Sequence, residues 1–223
     1  MTIEPTPARG VFTGRGNLFT KKLAGESVYG ERIITSGGIQ YREWNPWRSK
    51  LAAALKSGLR EFPFERDSRV LYLGAASGTT ASHVSDLCPD GRVFCVEVSA
   101  RSFRDLLTVA SVRPNMFPVK ADARHPEHYK SMVPEADILY QDIAQRDQER
   151  IFLHNAGEFL RSGGRGFLML KARSVNVAER PDDVFRRIID VLNNTAGIRI
   201  LEKHRLEPFH KDHLALVVSY KAQ

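Results

Sequence analysis

Beyond residue 68 the chain alternates short apolar runs with amphipathic stretches. The runs at 69–74, 92–98, 116–121, 136–141, 166–171, 198–206 and 213–219 read as strands, because they are short, rich in branched and aromatic side chains, and bounded by turn residues. Between them, 80–88, 102–112, 147–160 and 181–193 carry apolar positions at helical spacing, with a shorter helix around 126–132. Strands that alternate with helices predict a parallel sheet covered on both faces. The last two runs have no helix between them and predict an antiparallel hairpin. The expected fold is α/β: a Rossmann-like sheet of mostly parallel strands ending in that hairpin.

The first part of the chain follows a different pattern. Residues 10–45 carry five short runs separated by glycines: Gly10-Val-Phe-Thr, Asn17-Leu-Phe-Thr, Ser27-Val-Tyr-Gly, Glu31-Arg-Ile-Ile-Thr and Gly38-Ile-Gln-Tyr-Arg. They predict a small antiparallel β meander. Asn45-Pro46 is expected to open a helix, with Asn as N-cap, Pro at the first helical position, and Trp47, Leu51, Ala54 and Leu55 on one face. Gly58 is expected to close it. The expected organisation is therefore a meander plus helix over 1–58, a charged linker over 59–68, and the Rossmann-like domain over 69–223. Phe62-Pro-Phe64, in the linker, is expected to plug the junction.

Composition narrows the class. An apolar fraction of 42% over 223 residues suffices for a sizeable core. No run reaches the roughly 18 apolar residues of a membrane span, and the N-terminus lacks a signal-peptide core, so a cytoplasmic protein without a membrane partner is expected. Cys88 and Cys95 match no zinc spacing, so no metal is expected. The formal charge of +7 favours a polyanionic partner, most simply nucleic acid.

Ligands of open α/β sheets bind where the strands stop, and candidate residues fall there. Gly74, Ala75, Ala76, Ser77 and Gly78 form a small-residue loop that lets backbone approach a cofactor. Thr79 and Thr80 are placed to cap the next helix. Glu97 follows Gly78 by nineteen residues and suits a ribose diol. Asp122 and Ala123 end the third run, Asp142 the fourth and Lys171 the fifth. The middle glycine of a dinucleotide fingerprint is replaced by Ala76, so the loop suits S-adenosylmethionine, which has no phosphate, better than NAD. The terminal hairpin also matches the S-adenosylmethionine-dependent methyltransferase variant of the fold. A nicotinamide-dependent oxidoreductase is the reading from another class.

Long motifs add a resemblance. Tyr41-Arg-Glu-Trp-Asn-Pro-Trp-Arg-Ser-Lys-Leu-Ala-Ala-Ala54, Val70-Leu-Tyr-Leu-Gly-Ala-Ala-Ser-Gly-Thr-Thr80, Asp122-Ala-Arg-His-Pro126, Asp142-Ile-Ala-Gln145, Leu170-Lys-Ala-Arg173 and Leu206-Glu-Pro-Phe-His-Lys-Asp-His-Leu-Ala215 resemble fibrillarin. The likeness covers nearly the whole chain after about residue 8. It lacks the glycine- and arginine-rich extension of eukaryotic members and is similar to the archaeal type. The resemblance implies S-adenosylmethionine-dependent, guide-RNA-directed 2′-O-methylation of ribose in rRNA and tRNA, as catalytic subunit of a box C/D ribonucleoprotein. It implies as partners the guide RNA and its target, a Nop-family scaffold protein and a kink-turn-binding protein. It also implies a catalytic tetrad of Lys50, Asp142, Lys171 and His213, and cofactor contacts at Thr79, Thr80, Glu97, Val98, Asp122, Ala123 and the run Asp142, Ile143, Ala144, Gln145. On spacing alone, Lys50 reads as a solvated helix lysine and His213 as a turn residue; the resemblance reverses both readings. A non-catalytic RNA-binding subunit and a protein glutamine methyltransferase are the alternatives.

A ribose hydroxyl is a poor acid and needs a base, with cations to meet the developing alkoxide. In one assignment Asp142 holds the methionine end of the donor and orients Lys171. Lys171, neutralised by burial and by nearby Lys50, then takes the proton. In the other, Asp142 is the base and the lysines are electrostatic stabilisers. Arg42, Arg48, Lys56, Arg124, Arg146, Arg173 and Lys211 are candidate RNA contacts. Trp44 and Trp47 are expected in the core rather than as platforms for bases. His83 is expected to be a packed residue, and His125 and His128 carry no assigned role.

Overall fold

The computed structural model describes residues 2–222. Two sheets organise the chain. The first has five strands, β1 (Glu4–Pro5), β2 (Val11–Gly14), β3 (Asn17–Lys21), β4 (Ile33–Ser36) and β5 (Ile39–Trp44), in the antiparallel order β1-β2-β3-β5-β4. Helix α1 (Lys50–Lys56) follows it. The second sheet contains β6 (Arg69–Leu73), β7 (Arg92–Glu97), β8 (Met116–Lys120), β9 (Ala136–Gln141), β10 (Leu160–Lys171), β11 (Ile198–Arg205) and β12 (His213–Tyr220). Its order is β11-β12-β10-β9-β6-β7-β8, with β6 to β10 parallel and β12 antiparallel to both of its neighbours.

Alternation along the second sheet decides what covers each face. Val70, Tyr72, Val93, Cys95, Ile138, Tyr140, Phe167 and Met169 point to one side. They pack with α1, α2 (Thr79–Leu87) and α3 (Ala100–Ala110), and with Val11, Leu18 and Trp44 of the first sheet. Leu71, Leu73, Phe94, Val96, Leu139, Leu168 and Leu170 point to the other side, against α4 (Gln148–Phe159) and α6 (Pro181–Asn193). A one-turn helix α5 (Ala172–Val175) follows β10. This period-2 split, with apolar side chains on both sides, is the pattern of a sheet buried on both faces. Segment 59–68 joins the two parts, and Phe64 is buried in it, 5.4 Å from the Phe167 ring.

Three local expectations are corrected. Ser27 to Gly30 form no strand: the backbone N–H groups of Val28 and Tyr29 and the Ser27 hydroxyl donate to the Glu31 carboxylate, which leaves the segment curled around it. Asn45-Pro46 does not begin the helix. The Asn45 side chain accepts from the Trp47 N–H at 2.8 Å and closes a turn, and α1 starts at Lys50 with Ser49 as its cap. Asn and Pro serve turns as readily as helix starts. Gly78 in the left-handed region, not Thr79 or Thr80, is the N-cap of α2.

Candidate active site

The loop after β6 is tightly wound. Gly74, Ala76 and Gly78 all have positive φ, at 78°, 49° and 91°. A side chain on Gly74 would place its Cβ 2.3 Å from the Asp142 carbonyl oxygen, so only glycine lets the β6 and β9 ends meet. Ala76 adopts its conformation against the preference of an L-residue. Its N–H donates at 2.9 Å to Glu97 Oε2, and the Ser99 N–H donates at 2.6 Å to Oε1. The loop thus orients a carboxylate at the end of β7.

A cleft of about 310 Å³ opens there, within the usual range for a small-molecule site. Gly74, Ala76, Glu97, Val98, Asp122, Ala123, Asp142, Ile143, Ala144 and Gln145, all candidate cofactor contacts from the sequence, line it. Ala75, Ser77, Gly78, Thr79 and Thr80 do not: they shape the turn and the helix start behind it. Thr80 is buried and its hydroxyl donates to Ser49 at 3.0 Å. Val96, Ser102, Ala121 and Ile151 line the cleft without having been singled out in the sequence. Their signal was position alone, since each lies beside a strand end or on the first turns of the helix that follows. Asp122 is engaged by the Arg124 guanidinium and backbone N–H, and Arg124 holds its carboxyl below the usual range.

The four tetrad candidates come together from four parts of the chain. Lys50 opens α1, Asp142 follows β9, Lys171 ends β10 and His213 begins β12. Lys50 Nζ donates to both oxygens of Asp142, each at 2.8 Å. Lys171 and His213 face each other as register partners across the β10–β12 ladder, which puts their side chains on one face of the sheet. The His213 Nδ1–H donates to the Lys211 carbonyl at 2.7 Å, leaving Nε2 as the nitrogen with a free lone pair. Burial lowers the His213 pKa, and the Lys50 charge adds to this, so the neutral imidazole is favoured. His210 packs beside it with ring centroids 5.7 Å apart and donates from Nε2 to the Pro46 carbonyl at 2.8 Å. Sequence reasoning passed over His210; its position three residues before His213 was the available signal.

Two expectations about this site fail. Lys171 is exposed rather than buried, at the solvent end of β10. The Asp142 carboxylate is engaged by Lys50, and among the described residues no bond from Asp142 to Lys171 is made.

The candidate RNA contacts sort similarly. Arg42 is fully buried, paired with Glu31 at 2.7 Å and Asp86 at 2.6 Å, and is no surface contact. With Arg113, which also pairs with Asp86, it holds the first sheet to α2. His83 lies in this cluster as a packed residue, between the Thr20 and Tyr29 hydroxyls. Lys56 bonds the Gly16 carbonyl, Arg124 is engaged with Asp122, and Arg173 pairs with Asp212 at 3.0 Å. Arg48 lies over the Tyr29 ring, and Arg146 and Lys211 are exposed. Trp44 is fully buried and stacked on His83, but Trp47 is 58% exposed and so is not a core residue.

The model of the family described as Fibrillarin matches residues 4–222. The chain belongs to the fibrillarin family. It is 50% identical over 210 residues to the fibrillarin-like rRNA/tRNA 2′-O-methyltransferase of Methanothermobacter thermautotrophicus, covering 94% of this chain and 93% of that one. Its structure resembles that of Aeropyrum pernix fibrillarin in complex with natively bound S-adenosyl-L-methionine, with TM-score 0.90, 45% identity and 98% of each chain covered. It also resembles fibrillarin from a fibrillarin/Nop5p complex, with TM-score 0.88 and 40% identity, covering 95% of this chain and 98% of that one.

Proposed function

We propose that this member of the fibrillarin family methylates the 2′-hydroxyl of ribose in rRNA and tRNA, with S-adenosylmethionine as methyl donor. It does so as the catalytic subunit of a box C/D ribonucleoprotein. The observation that carries this reading is the convergence of Lys50, Asp142, Lys171 and His213 beside a cleft with a rigidly held acid, Glu97. The cleft's shape and chemistry fit the donor. Glu97, oriented by two backbone N–H groups, keeps oxygen lone pairs for a ribose diol, and the glycine-bounded loop leaves space for the nucleoside. The bound donor supplies an electrophilic methyl group on a sulfonium.

The residues divide the remaining work. Asp142, held by Lys50, is a charge-balanced floor near the cleft. His213 Nε2 accepts the proton of the attacking hydroxyl, since its other nitrogen is fixed as a donor and its neutral form is favoured. Lys171, across the ladder from it, meets the developing negative charge on the oxygen. One C–O bond forms, the donor's S–CH₃ bond breaks, and the proton passes to His213.

Partners follow from the same reading. Guide RNA pairing chooses the target nucleotide, a Nop-family scaffold positions the enzyme, and a kink-turn-binding protein completes the particle. The work is cytoplasmic, as the similarity to archaeal-type members of the family implies. The test is calorimetric binding of S-adenosylmethionine against NAD, followed by label transfer to RNA in the assembled particle. Tight binding of the first cofactor and alkali-resistant label support the reading. Preference for NAD, or label confined to protein, refutes it.

A further inference from the structure

Trp47 is a large apolar side chain that the fold leaves in the open. It is 58% exposed, whereas Trp44, the other tryptophan, is fully buried. The exposure is built in rather than loose. Its N–H is bonded to the Asn45 side chain at 2.8 Å, and the preceding carbonyl, that of Pro46, accepts from His210 at 2.8 Å. Its ring packs edge to face with Phe209, with centroids 5.1 Å apart and planes at 74°. Phe209 is itself packed against the core.

The two segments that hold this pair also carry the chemistry. Lys50 lies three residues after Trp47, and His213 lies four after Phe209. Exposed Arg48 follows Trp47 in the sequence, and exposed Lys211 lies two residues after Phe209. A fixed aromatic rim on segments that also carry exposed cations suits a polyanion with apolar sugar faces better than a protein surface. In a paired RNA strand the 2′-hydroxyl is displayed in the wide, shallow minor groove. The surface next to Lys50 and His213 must therefore face that groove when a paired ribose is methylated.

Building on the RNA-methyltransferase reading above, we propose that Trp47 is a substrate-positioning residue that packs into the minor groove of the guide–target duplex, against the sugars next to the acceptor ribose. Its indole, braced by Phe209, sets how deeply the duplex seats and so where the hydroxyl stands relative to His213.

The experiment uses the assembled particle with guide RNA, and compares the wild type with Trp47→Ala and Trp47→Phe. Wild-type methylation at the guided ribose first establishes the underlying reading; its absence refutes that reading. Given that activity, Trp47→Ala is expected to lower the methylation efficiency roughly 10-fold or more, as alanine replacement of an aromatic nucleic-acid contact does. S-adenosylmethionine affinity stays unchanged, and Trp47→Phe recovers most of the loss. Adding target RNA should also shield tryptophan fluorescence from acrylamide in the wild type more than in Trp47→Phe. Unchanged efficiency in Trp47→Ala overturns the proposal, as does equal shielding in both proteins. Loss of scaffold binding in Trp47→Ala also overturns it and identifies the rim as a protein contact.

Discussion

Lys50 Nζ stands 2.8 Å from each carboxylate oxygen of Asp142, 92 residues away in the chain. The pair joins α1, which follows the N-terminal sheet, to the end of β9 in the large sheet. Both side chains are about one-fifth exposed, so screening limits the pair to about 1 kcal/mol of stability or less. Its larger consequence is electrostatic: it fixes a balanced charge next to His213. Lys50→Ala should lower the methyl-transfer rate by about 100-fold, within the range for removing a group that acts on the transition state. The melting temperature should move by only a few degrees. Single-turnover kinetics and calorimetry check both; a large loss of stability with little loss of rate would make the pair structural.

The histidine assignment predicts a pH profile. The lowered His213 pKa places an acid limb below the ordinary histidine value of about 6.5, with the rate rising as pH rises through it. His213→Gln should remove that limb. Lys171→Arg should lower the rate and leave the limb in place. A limb that survives in His213→Gln and moves in Lys171→Arg would make lysine the base.

Acid stability should report on buried histidines. Burial holds His83 well below its ordinary value, with Arg42 and Arg113 adding to the effect, and burial also lowers His210 and His213. The unfolded chain therefore binds more protons than the folded one once pH falls below about 6.5. Stability is fully present above that pH and is lost below it, by up to about 1.4 kcal/mol per pH unit for each histidine. Between pH 6.5 and 5.5, His83→Gln should lose about 1 kcal/mol less than the wild type in denaturant titrations. Equal losses would contradict the burial argument.

Gly74→Ala should damage the cofactor cleft from its back wall. The new Cβ would meet the Asp142 carbonyl oxygen at 2.3 Å, at a φ of 78°. Strain of this kind should cost more than about 1 kcal/mol and move the segment that carries Asp142. Calorimetry should show at least tenfold weaker S-adenosylmethionine binding. Unchanged affinity would mean that the loop yields without disturbing the site.

Much of the architecture was legible because the large sheet is buried on both faces. That burial forces near-continuous apolar runs, and residues 181–193 are helical over the length their spacing indicated. Strand ends then located Gly74, Glu97 and Asp142. What stayed hidden depends on contacts between distant segments. Arg42 looks like any surface arginine until Glu31 and Asp86 are seen to surround it. The exposure of Trp47 was equally unreadable, because Asn45-Pro46 carries the same local signal for a turn as for a helix start. Lys171 ends an apolar strand, which suggested burial, but the strand stops where solvent begins.

The most direct measurement is transfer of labelled methyl from S-adenosylmethionine to a guide-paired RNA in the assembled particle, with the modified nucleotide mapped. The account predicts alkali-resistant label at one guided ribose, moved to a new position when the guide is changed, and lost in Asp142→Ala. Label that ignores the guide, or that persists at full rate in Asp142→Ala, would contradict it.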